Sequence, residues 1–528
     1  MAEERTIRIL ATSDLHGKLF PWDYALNEES TAGSLAQLST AVKSLYDPEN
    51  TLLVDAGDSI QDNFAEIFKD EEIHPMIAGI NDIGYEVWTT GNHDYDFGMD
   101  AVHRCIKGFK GKTLLANVYD PDGNPLADGY AIFEKNGIRI AVIGMTTPCI
   151  AIMNAASLGS YTVTDPVEEA KKIIAEIEGQ YDILVGVMHM TVKNEYTVPH
   201  SGVRDLTGDV PGFDIMISSH EHRLIEGEII NDVFTVQNKY RAETMMNISV
   251  KLQKKQGSWK VSEISSETVM LRDYEPDEAF TQKYMKYHEA AIANAVTPIG
   301  WIKGSKGIME RMPQTLPAQL AGPTFLTDLL LKIQRHYTKA DVTAVCVSNP
   351  HAVLENGVIR KCDIAKMYKF ENTLYTFRMS GRQLRMLMEV SARFYRTWNE
   401  GDERIKTDSL SKCFTYLLFG GVCYDIDISR EAGDRIRRLR WLDGRPVRED
   451  EMLTLAINDY WANVRIMNPG NLYKKDDIPE LLEKDVRSDV GLFRDMIEKY
   501  IREVKNGVIN RKFDRNWRLT AGNKVLSE

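Results

Sequence analysis

The sequence of 528 residues predicts an α/β protein with two domains, and three observations lead to this prediction. Apolar, strand-like runs alternate with helical stretches through the first half of the chain, which is typical of helices packed on a β core. Five of these runs end in clusters of Asp, Asn and His. A polar helical stretch and a segment with several prolines and glycines then precede a second series of strands and helices, and the length allows two to four domains.

The elements of the first half follow from apolar periodicity. Helices are predicted over 33–46 and 166–178, and a polar segment with Lys, Gly and Ser over 254–260 predicts a hairpin turn. The predicted strands are, in order, 7–11, 52–54, 87–89, 183–187, 215–217, 233–236 and 246–252.

The second half begins with a predicted linker helix over 275–294, where Phe280, Tyr284, Tyr287 and Ala291 share one face. An irregular connection is predicted over 304–323, because it contains three prolines and three glycines. The resulting organisation is a first domain over 1–274, a linker helix and connection over 275–322 and a second domain over 323–528. The second domain is predicted to contain helices over 325–336 and 381–394 and strands over 342–347, 374–379, 422–428 and 453–457.

Composition excludes several classes of protein. Hydrophobic residues make up 43% of the chain without any run long enough for a transmembrane helix, so no membrane partner is expected. The net charge of −13 argues against a nucleic-acid partner, which would call for a basic patch. Six scattered cysteines predict reduced thiols. The acidic start favours a cytoplasmic protein, the alternative being a periplasmic or extracellular protein whose signal was removed.

The polar clusters at the five strand ends contain the side chains that a two-metal site needs. In an open α/β sheet, ligands gather beyond the carboxyl ends of the strands, so clusters that are distant in sequence can share one crevice. Asp14 and His16 are two residues apart and can reach the same cation. Asp58 lies in a Gly-Asp turn that allows a carboxylate to bridge two metals. The full set of candidate ligands is Asp14, His16, Asp58, Asn92, His189, His220 and His222.

This mixture of oxygen and nitrogen ligands suits Mn²⁺, Zn²⁺, Co²⁺ or Fe better than Ca²⁺ or Mg²⁺ alone. Two such cations about 3.5–4 Å apart can clamp a phosphate and hold a bridging hydroxide for in-line attack. Each cluster taken alone is better explained as a turn or a hydrogen-bonded histidine, but five clusters in order at strand ends are hard to explain in that way. His74, His103 and His200 lack such a context and are interpreted as structural or solvent-exposed.

These residues resemble the signature of the calcineurin-like metallophosphoesterases, and the whole layout is similar to the two-domain 5′-nucleotidase family. The resemblance implies an αββα sandwich followed by an α/β nucleotide-binding domain. It implies that Asp14, His16, Asp58 and His222 hold one metal, and that Asp58, Asn92, His189 and His220 hold the other. It also implies that His93 stabilises the transition state or protonates the leaving oxygen, with Asp96 orienting it. Ser219 stands where the family has glycine.

The second domain of this family binds the nucleoside between two aromatic rings. The segments 370–374, 380–384 and 516–518 resemble that domain. By their positions in the sequence, Tyr416 and Tyr460 correspond to the two rings. Stacking of a base on an aromatic ring contributes about 1–3 kcal/mol. The alternative is that both rings belong to the hydrophobic core.

Two departures from the family bear on the substrate. The segment 347–352 lacks the GGIR-like loop whose arginine binds phosphate in 5′-nucleotidases, and 462–465 lacks a glycine-rich turn. Arg465 and Arg393 are candidates for the missing contact. The surroundings of Tyr460 are more similar to the 2′,3′-cyclic-nucleotide phosphodiesterase/3′-nucleotidase branch. The expected function is therefore metal-dependent hydrolysis of 2′,3′-cyclic nucleotides and 3′-nucleotides, and the alternatives are a 5′-nucleotidase or UDP-sugar hydrolase, a nuclease, and a nucleotide sensor without turnover.

Overall fold

The computed structural model describes residues 3–526 apart from 197, 305–315, 371 and 409–412. The chain divides into two compact units, Met1–Ala293 and Asn294–Glu528. Most of the predicted irregular connection, over 305–315, lies outside the described residues, as does Glu371 of the predicted motif at 370–374.

The first unit contains sixteen strands and eight helices among its described residues. The helices are α1 Leu35–Leu45, α2 Pro75–Ile83, α3 Met99–Gly108, α4 Ile150–Met153, α5 Ala155–Leu158, α6 Pro166–Glu176, α7 Val203–Asp209 and α8 Glu278–Ala295. The strands are β1 Glu4–Thr12, β2 Trp22–Asp23, β3 Glu28–Glu29, β4 Thr51–Asp55, β5 Val87–Trp88, β6 Lys112–Thr113, β7 Val118–Tyr119, β8 Tyr130–Lys135, β9 Ile138–Thr146, β10 Thr162–Val163, β11 Ile183–His189, β12 Ile215–Ser218, β13 Ile225–Ile230, β14 Val233–Gln237, β15 Thr244–Lys255 and β16 Ser258–Met270.

Two six-stranded sheets form the centre of the first unit. Their strand orders are β16-β15-β1-β4-β5-β6 and β13-β14-β12-β11-β9-β8. Alternate residues of β1, Ile7 and Ile9, contribute to a core that also contains Val185 and Ile217 of the other sheet. Because side chains alternate along a strand, Leu10 faces the opposite side of its sheet and packs with residues of α1 and α2.

Helices cover the outer face of each sheet. On the first sheet, Leu35 of α1 and Ile77 of α2 pack on Leu53 and Trp88. On the second sheet, apolar residues of α6 and α7 pack on β11 and β12. This arrangement confirms the αββα sandwich. The predicted strands at the five polar clusters and both predicted helices are confirmed, with ends shifted by no more than three residues.

The predicted linker helix, α8, packs on the first unit. Phe280 and Tyr284 belong to the core on the outer face of the first sheet, and the Tyr284 hydroxyl donates to Oδ2 of Asp82 at 2.7 Å. One turn further along the helix, Nδ1 of His288 is 2.7 Å from the Tyr24 hydroxyl. The apolar face of α8 is therefore buried against its own unit.

The hairpin turn predicted over 254–260 is shorter than expected. β15 ends at Lys255 and β16 begins at Ser258, so only Gln256 and Gly257 form the turn, both with positive φ. The polar residues on either side belong to paired strands whose side chains face solvent, and the prediction mistook them for loop.

The second unit contains twelve strands and six helices among its described residues. The helices are α9 Ala318–Ala321, α10 Phe325–Thr338, α11 Lys361–Met367, α12 Gly381–Ala392, α13 Asp459–Trp461 and α14 Phe493–Lys499. The strands are β17 Pro298–Lys303, β18 Val342–Cys346, β19 Gly357–Arg360, β20 Leu374–Ser380, β21 Leu417–Gly420, β22 Val422–Asp427, β23 Ile436–Trp441, β24 Met452–Asn458, β25 Glu480–Glu483, β26 Val508–Asn510, β27 Trp517–Ala521 and β28 Lys524–Val525.

Three sheets organise the second unit, with strand orders β21-β18-β24-β20-β25, β23-β22-β27-β28 and β19-β17-β26. Helix α10 begins at an N-cap, Thr324, whose hydroxyl accepts from the Thr327 amide, and its apolar face joins the core of the unit. The four strands and two helices predicted here are confirmed. The chain thus has the predicted α/β class in both units.

Candidate metal centre

The five polar clusters follow parallel strands in the two sheets of the first unit. β1, β4 and β5 are parallel neighbours in one sheet, and β11 and β12 are parallel neighbours in the other. Their carboxyl ends therefore lie on the same edge of each sheet. Backbone hydrogen bonds connect the first two clusters, since the Asp14 amide donates to the Gly57 carbonyl and the His16 amide to the Asp58 carbonyl.

Six of the seven predicted ligands form two groups that share one carboxylate. Asp14, His16, Asp58 and His222 form the first group, and their potential ligand atoms lie within 4.8 Å of one another. Asp58, His189 and His220 form the second group by the same criterion. The seventh, Asn92, places Oδ1 3.1 Å from Nε2 of His189. Asp58 is the only residue common to both groups.

The backbone at these positions is held in an unusual conformation. Asp14, His16, Asp58, His220 and His222 all have φ between 45° and 75°, in the left-handed region that side chains other than glycine rarely adopt. Such strain persists only where the surrounding structure compels it, and it concentrates at functional sites. Five strained residues in one cluster indicate that the orientation of these side chains is maintained at a cost in folding stability.

The polar atoms of the cluster are not satisfied by the protein alone. Nε2 of His16 lies 3.1 Å from Nε2 of His222, so two imidazole nitrogens face each other. Oδ2 of Asp58 is buried and accepts no hydrogen bond from the described residues, although Nε2 of His189 is 3.2 Å away. Buried polar atoms without partners are rare, and a divalent cation would satisfy them. The donor set therefore fits metal.

The charge state of the histidines in the protein alone reflects burial and the shared carboxylate. Burial lowers the pKa of His16 to about 4, although Asp58 opposes this change. Burial would also lower the pKa of His189, but the adjacent Asp58 carboxylate outweighs it and raises that pKa to about 9. A cation requires neutral imidazole, so metal binding would displace the proton from His189.

Asp94 organises the two loops that carry Asp58 and Asn92, and the sequence analysis assigned it no role. Its buried carboxylate accepts hydrogen bonds from the amides of Asp58, Ser59, Ile60 and Gly91 at 2.8 to 3.2 Å. Burial and the nearby Asp58 raise the pKa of Asp94 to about 6. Its place in the polar cluster at 91–94, which follows β5 and contains Asn92, was the only signal in the sequence.

His93 lies beside this cluster, outside both groups of potential ligands. Its amide donates to Oδ1 of Asp58 at 2.8 Å, and its ring lies 5.5 Å from the ring of His16. Nδ1 of His93 is 2.8 Å from Oδ2 of Asp96, and Oδ1 of Asp96 accepts from the Asn154 side chain at 2.8 Å. The geometry brings His93 and Asp96 together, and it adds Asn154 as a residue that the sequence gave no reason to select.

Two further side chains support the histidines at the edge of the cluster. The Glu195 carboxylate lies 3.1 Å from Nε2 of His220, and a carboxylate in this position can orient a metal-ligating imidazole. The ring of Tyr240 stacks on His222 with centroids 4.8 Å apart and planes 8° apart. Both residues are distant in sequence from the histidines they contact, so no local pattern could have identified them.

Tyr416 is buried, contrary to the prediction that it stacks on a base. Its exposure is 0%, its hydroxyl accepts from that of Tyr395 at 2.9 Å, and its ring stacks on Phe394. The residue immediately precedes β21, and its ring turns into the core of the second unit. The alternative reading, that the ring is part of the core, is correct for Tyr416.

Tyr460, the second predicted ring, is 44% exposed and contacts an aromatic residue that the sequence analysis did not select. The rings of Tyr460 and Phe414 are 6.0 Å apart, and Phe414 also contacts Phe370 at 5.9 Å. Phe414 is two residues before Tyr416, and only the observed burial distinguishes the two. Arg465, a candidate for the missing phosphate contact, donates to Oδ1 of Asn471 at 3.0 Å.

Comparison with known families agrees with this architecture. The family described as calcineurin-like phosphoesterase matches residues 7–224, and the 5′-nucleotidase C-terminal domain matches residues 302–465. The chain belongs to the two-domain 5′-nucleotidase family of metallophosphoesterases. The calcineurin-like phosphoesterases use divalent metals, in agreement with the donor set of the first unit.

Relatives of this family extend over almost the whole chain. The chain is 23% identical to the 2′,3′-cyclic-nucleotide 2′-phosphodiesterase/3′-nucleotidase of Yersinia enterocolitica, over 98% of this chain and 88% of that protein. It is also 23% identical to the trifunctional nucleotide phosphoesterase YfkN of Bacillus subtilis, over 97% of this chain but only 38% of that longer protein. A crystal structure of a Staphylococcus aureus protein, 20% identical, covers 98% of this chain and 100% of its own, with a TM-score of 0.69, and supports the fold.

Within the described part of the chain, no helix combines the length and the apolar character that a membrane span needs. The cytoplasmic location remains a prediction from the sequence.

Proposed function

We propose that this protein hydrolyses nucleotide phosphoesters at a dinuclear metal centre and prefers 2′,3′-cyclic nucleotides and 3′-nucleotides. The observation that carries the proposal is the shared position of Asp58, a buried carboxylate common to two groups of potential ligands. Asp14, His16, Asp58 and His222 would hold one cation. Asp58, Asn92, His189 and His220 would hold the other, and the mixed oxygen and nitrogen donors favour Mn²⁺, Zn²⁺, Co²⁺ or Fe.

When bound, two divalent cations would supply Lewis acidity toward the phosphoryl oxygens and lower the pKa of water to about 7. The protein's own part is to hold the ligands in place before substrate arrives. The four backbone amides on Asp94 and the strained backbone at the ligands serve this purpose. Ligands that are positioned in advance need no reorganisation during the reaction.

His93 is suited to protonate the leaving oxygen of the substrate. Asp96 engages Nδ1 and stabilises the charged ring, so the proton would be delivered from Nε2. Asn154 holds the other oxygen of Asp96, which fixes the direction of the His93 ring. The amide of His93 donates to Asp58, so the proposed proton donor is positioned directly relative to the carboxylate that would be shared by the two metals.

In the second unit, Tyr460 and Phe414 are the rings that we propose for binding the base. Both are accessible and adjacent, whereas Tyr416 is enclosed by the core. Stacking tolerates any base, because every base has an aromatic face. We therefore expect nucleotides with different bases to be hydrolysed at similar rates.

Two observations support the preference for cyclic and 3′-nucleotides. One is the sequence of the second unit, and the other is the similarity of nearly the full chain to a 2′,3′-cyclic-nucleotide 2′-phosphodiesterase/3′-nucleotidase. The segment 347–352 lacks the GGIR-like loop that is typical of 5′-nucleotidases. A 5′-nucleotidase remains the second candidate, because the C-terminal domain carries that family's description.

A substrate panel tests the proposed function. The full chain is loaded in turn with Mn²⁺, Co²⁺, Zn²⁺ and Mg²⁺, and kcat/KM is measured for 2′,3′-cyclic AMP, 3′-AMP, 5′-AMP and UDP-glucose. We expect the first two substrates to be preferred. A preference for 5′-AMP would favour the second candidate, and binding of nucleotides without turnover under every metal would contradict the proposal of an enzyme.

Replacing Tyr460 with Ala is expected to lower kcat/KM for nucleotides, because a base would lose one stacking surface. The loss should correspond to about 1–3 kcal/mol of transition-state stabilisation. Hydrolysis of a small aryl phosphodiester should be nearly unchanged, since that substrate has no base. The measurement is the ratio of the two kcat/KM values in wild type and variant.

Tyr416→Phe is the matched control for the Tyr460 variant. It removes a buried hydroxyl that pairs with Tyr395, so it should lower stability by about 0.5–1.5 kcal/mol while leaving the substrate ratio unchanged. Equal losses on both substrates in Tyr460→Ala would identify Tyr460 as a packing residue.

A further inference from the structure

One face of the four-stranded sheet of the second unit carries a pocket of about 350 Å³ rich in arginine. It shares no residue with the candidate metal centre. Four arginines line it, two from β23 and two from β27 and the residues before it, around a central strand that contributes Cys423 and Asp425. We call the four the arginine cradle: Arg438, Arg440, Arg515 and Arg518.

The charges in the arginine cradle are not balanced locally. Asp425 is the one carboxylate in the lining, and it already accepts from Nε and Nη2 of Arg518 at 2.8 and 3.2 Å, with Nε of Arg438 3.5 Å away. Arg440 and Arg515 form no ion pair with any described residue. Within the lining, positive charges therefore exceed carboxylates by three, in a chain whose net charge is −13. Asp514, a carboxylate whose charge also acts on Cys423, is paired with Lys332 at 3.2 Å.

A bulge in β23 aims two of these arginines outward. Ile436 and Leu439 are both buried although they are three residues apart, and the pairing of β23 with β22 shifts register between Cys423 and Asp425. Arg438 takes up the extra residue with φ of 50°. A bulge of this kind redirects side chains, and a strained residue other than glycine suggests a functional reason.

The chemistry of the cradle selects a particular ligand. Guanidinium groups present paired N–H donors that match the oxygens of a phosphate, and two arginines that lack carboxylate partners are available to such an anion. Arg518 is held in place by its two bonds to Asp425, which reduces the entropy lost on binding. We propose that the arginine cradle binds the phosphoryl group of a small anion, from inorganic phosphates or from a nucleotide.

Cys423 provides a local probe of this site. It lies in the pocket, partly exposed and directly opposite Arg440 in the strand pairing. Alkylation of Cys423 by anionic iodoacetate and by neutral iodoacetamide can be followed by peptide mass spectrometry on the full, metal-loaded chain. The ratio of the two rates reports the local electrostatic potential at Cys423. A change in the thiolate fraction affects both reagents equally, whereas the potential affects only the charged one. Cys413, also partly exposed, is the internal reference.

We expect the iodoacetate preference at Cys423 to fall about fivefold in Arg440→Gln/Arg515→Gln, because two nearby positive charges are lost. Pyrophosphate or ADP should slow alkylation of Cys423 in wild type and not in this variant. Arg437→Gln, on the same strand but paired with Asp434 and outside the lining, should behave as wild type. If the double variant is unstable, Arg440→Gln alone should show a smaller change in the same direction.

The two probes distinguish the source of the phosphoryl group. Stronger protection by pyrophosphate assigns the cradle to inorganic phosphates, and stronger protection by ADP assigns it to a nucleotide. An unchanged rate ratio in the double variant, or equal protection of Cys423 in wild type and variant, would overturn the proposal. Neither readout uses the hydrolytic activity, so the result is independent of the proposed function.

Discussion

Asp58→Asn is expected to remove metal from both positions and to abolish most hydrolysis. Asp58 is the one carboxylate shared by the two groups of potential ligands, and its amide replacement cannot neutralise two cations. Removing one partner of a buried charge pair costs about 3–5 kcal/mol, so metal affinity at each position should fall by about two to four orders of magnitude. Metal content by elemental analysis and kcat measured on the same preparation provide the check.

Asp62→Asn is the matched control for this variant. Asp62 is also a buried carboxylate on the same loop, but it pairs with Arg241 and belongs to neither group. Its replacement should lower stability while metal content is retained. If Asp58→Asn kept both metals and its activity, Asp58 would not bridge them.

His93→Asn is expected to lower kcat by about 10²–10⁴-fold while metal content is unchanged. His93 is outside both ligand groups, and its Nδ1 is held by Asp96. If the ring protonates the leaving oxygen, kcat for a substrate with a p-nitrophenolate leaving group should fall much less, because that group leaves without a proton. Comparing kcat for nucleotide and p-nitrophenyl esters therefore isolates the role of His93.

His103→Asn is a suitable control for His93→Asn, because His103 bonds to the Tyr161 hydroxyl and belongs to neither ligand group. It should leave kcat unchanged on both substrates. Loss of metal from His93→Asn would show that the ring acts as a ligand, and equal losses on the two esters would exclude proton donation to the leaving group.

The convergence of the candidate ligands was predictable because it depends on topology. Short apolar strands in parallel pairs place their carboxyl ends at one edge, so Asp14 and Asp58 can be assigned to a common site from periodicity and chain order. The structure brings these residues together as expected. Their individual roles stay predictions until metal content and kinetics of variants are measured.

The parts that were not predictable depend on contacts distant in sequence. Tyr416 and Phe414 are two residues apart and both aromatic, and only the packing around Tyr395 shows which ring is buried. The support of His220 by Glu195 depends on a loop that approaches from another strand. The bulge at Arg438 likewise depends on the register of β23 with β22, which no local pattern in the sequence reveals.

If two cations that share Asp58 perform the hydrolysis, activity should depend on the number of metal ions bound per chain, and a metal titration measures this dependence. The full chain is stripped of metal, and kcat for 2′,3′-cyclic AMP is followed as Mn²⁺ is added in measured equivalents. Activity should rise until two equivalents are bound per chain, and Asp58→Asn should show no such rise. Full activity at one equivalent or fewer would contradict a dinuclear centre.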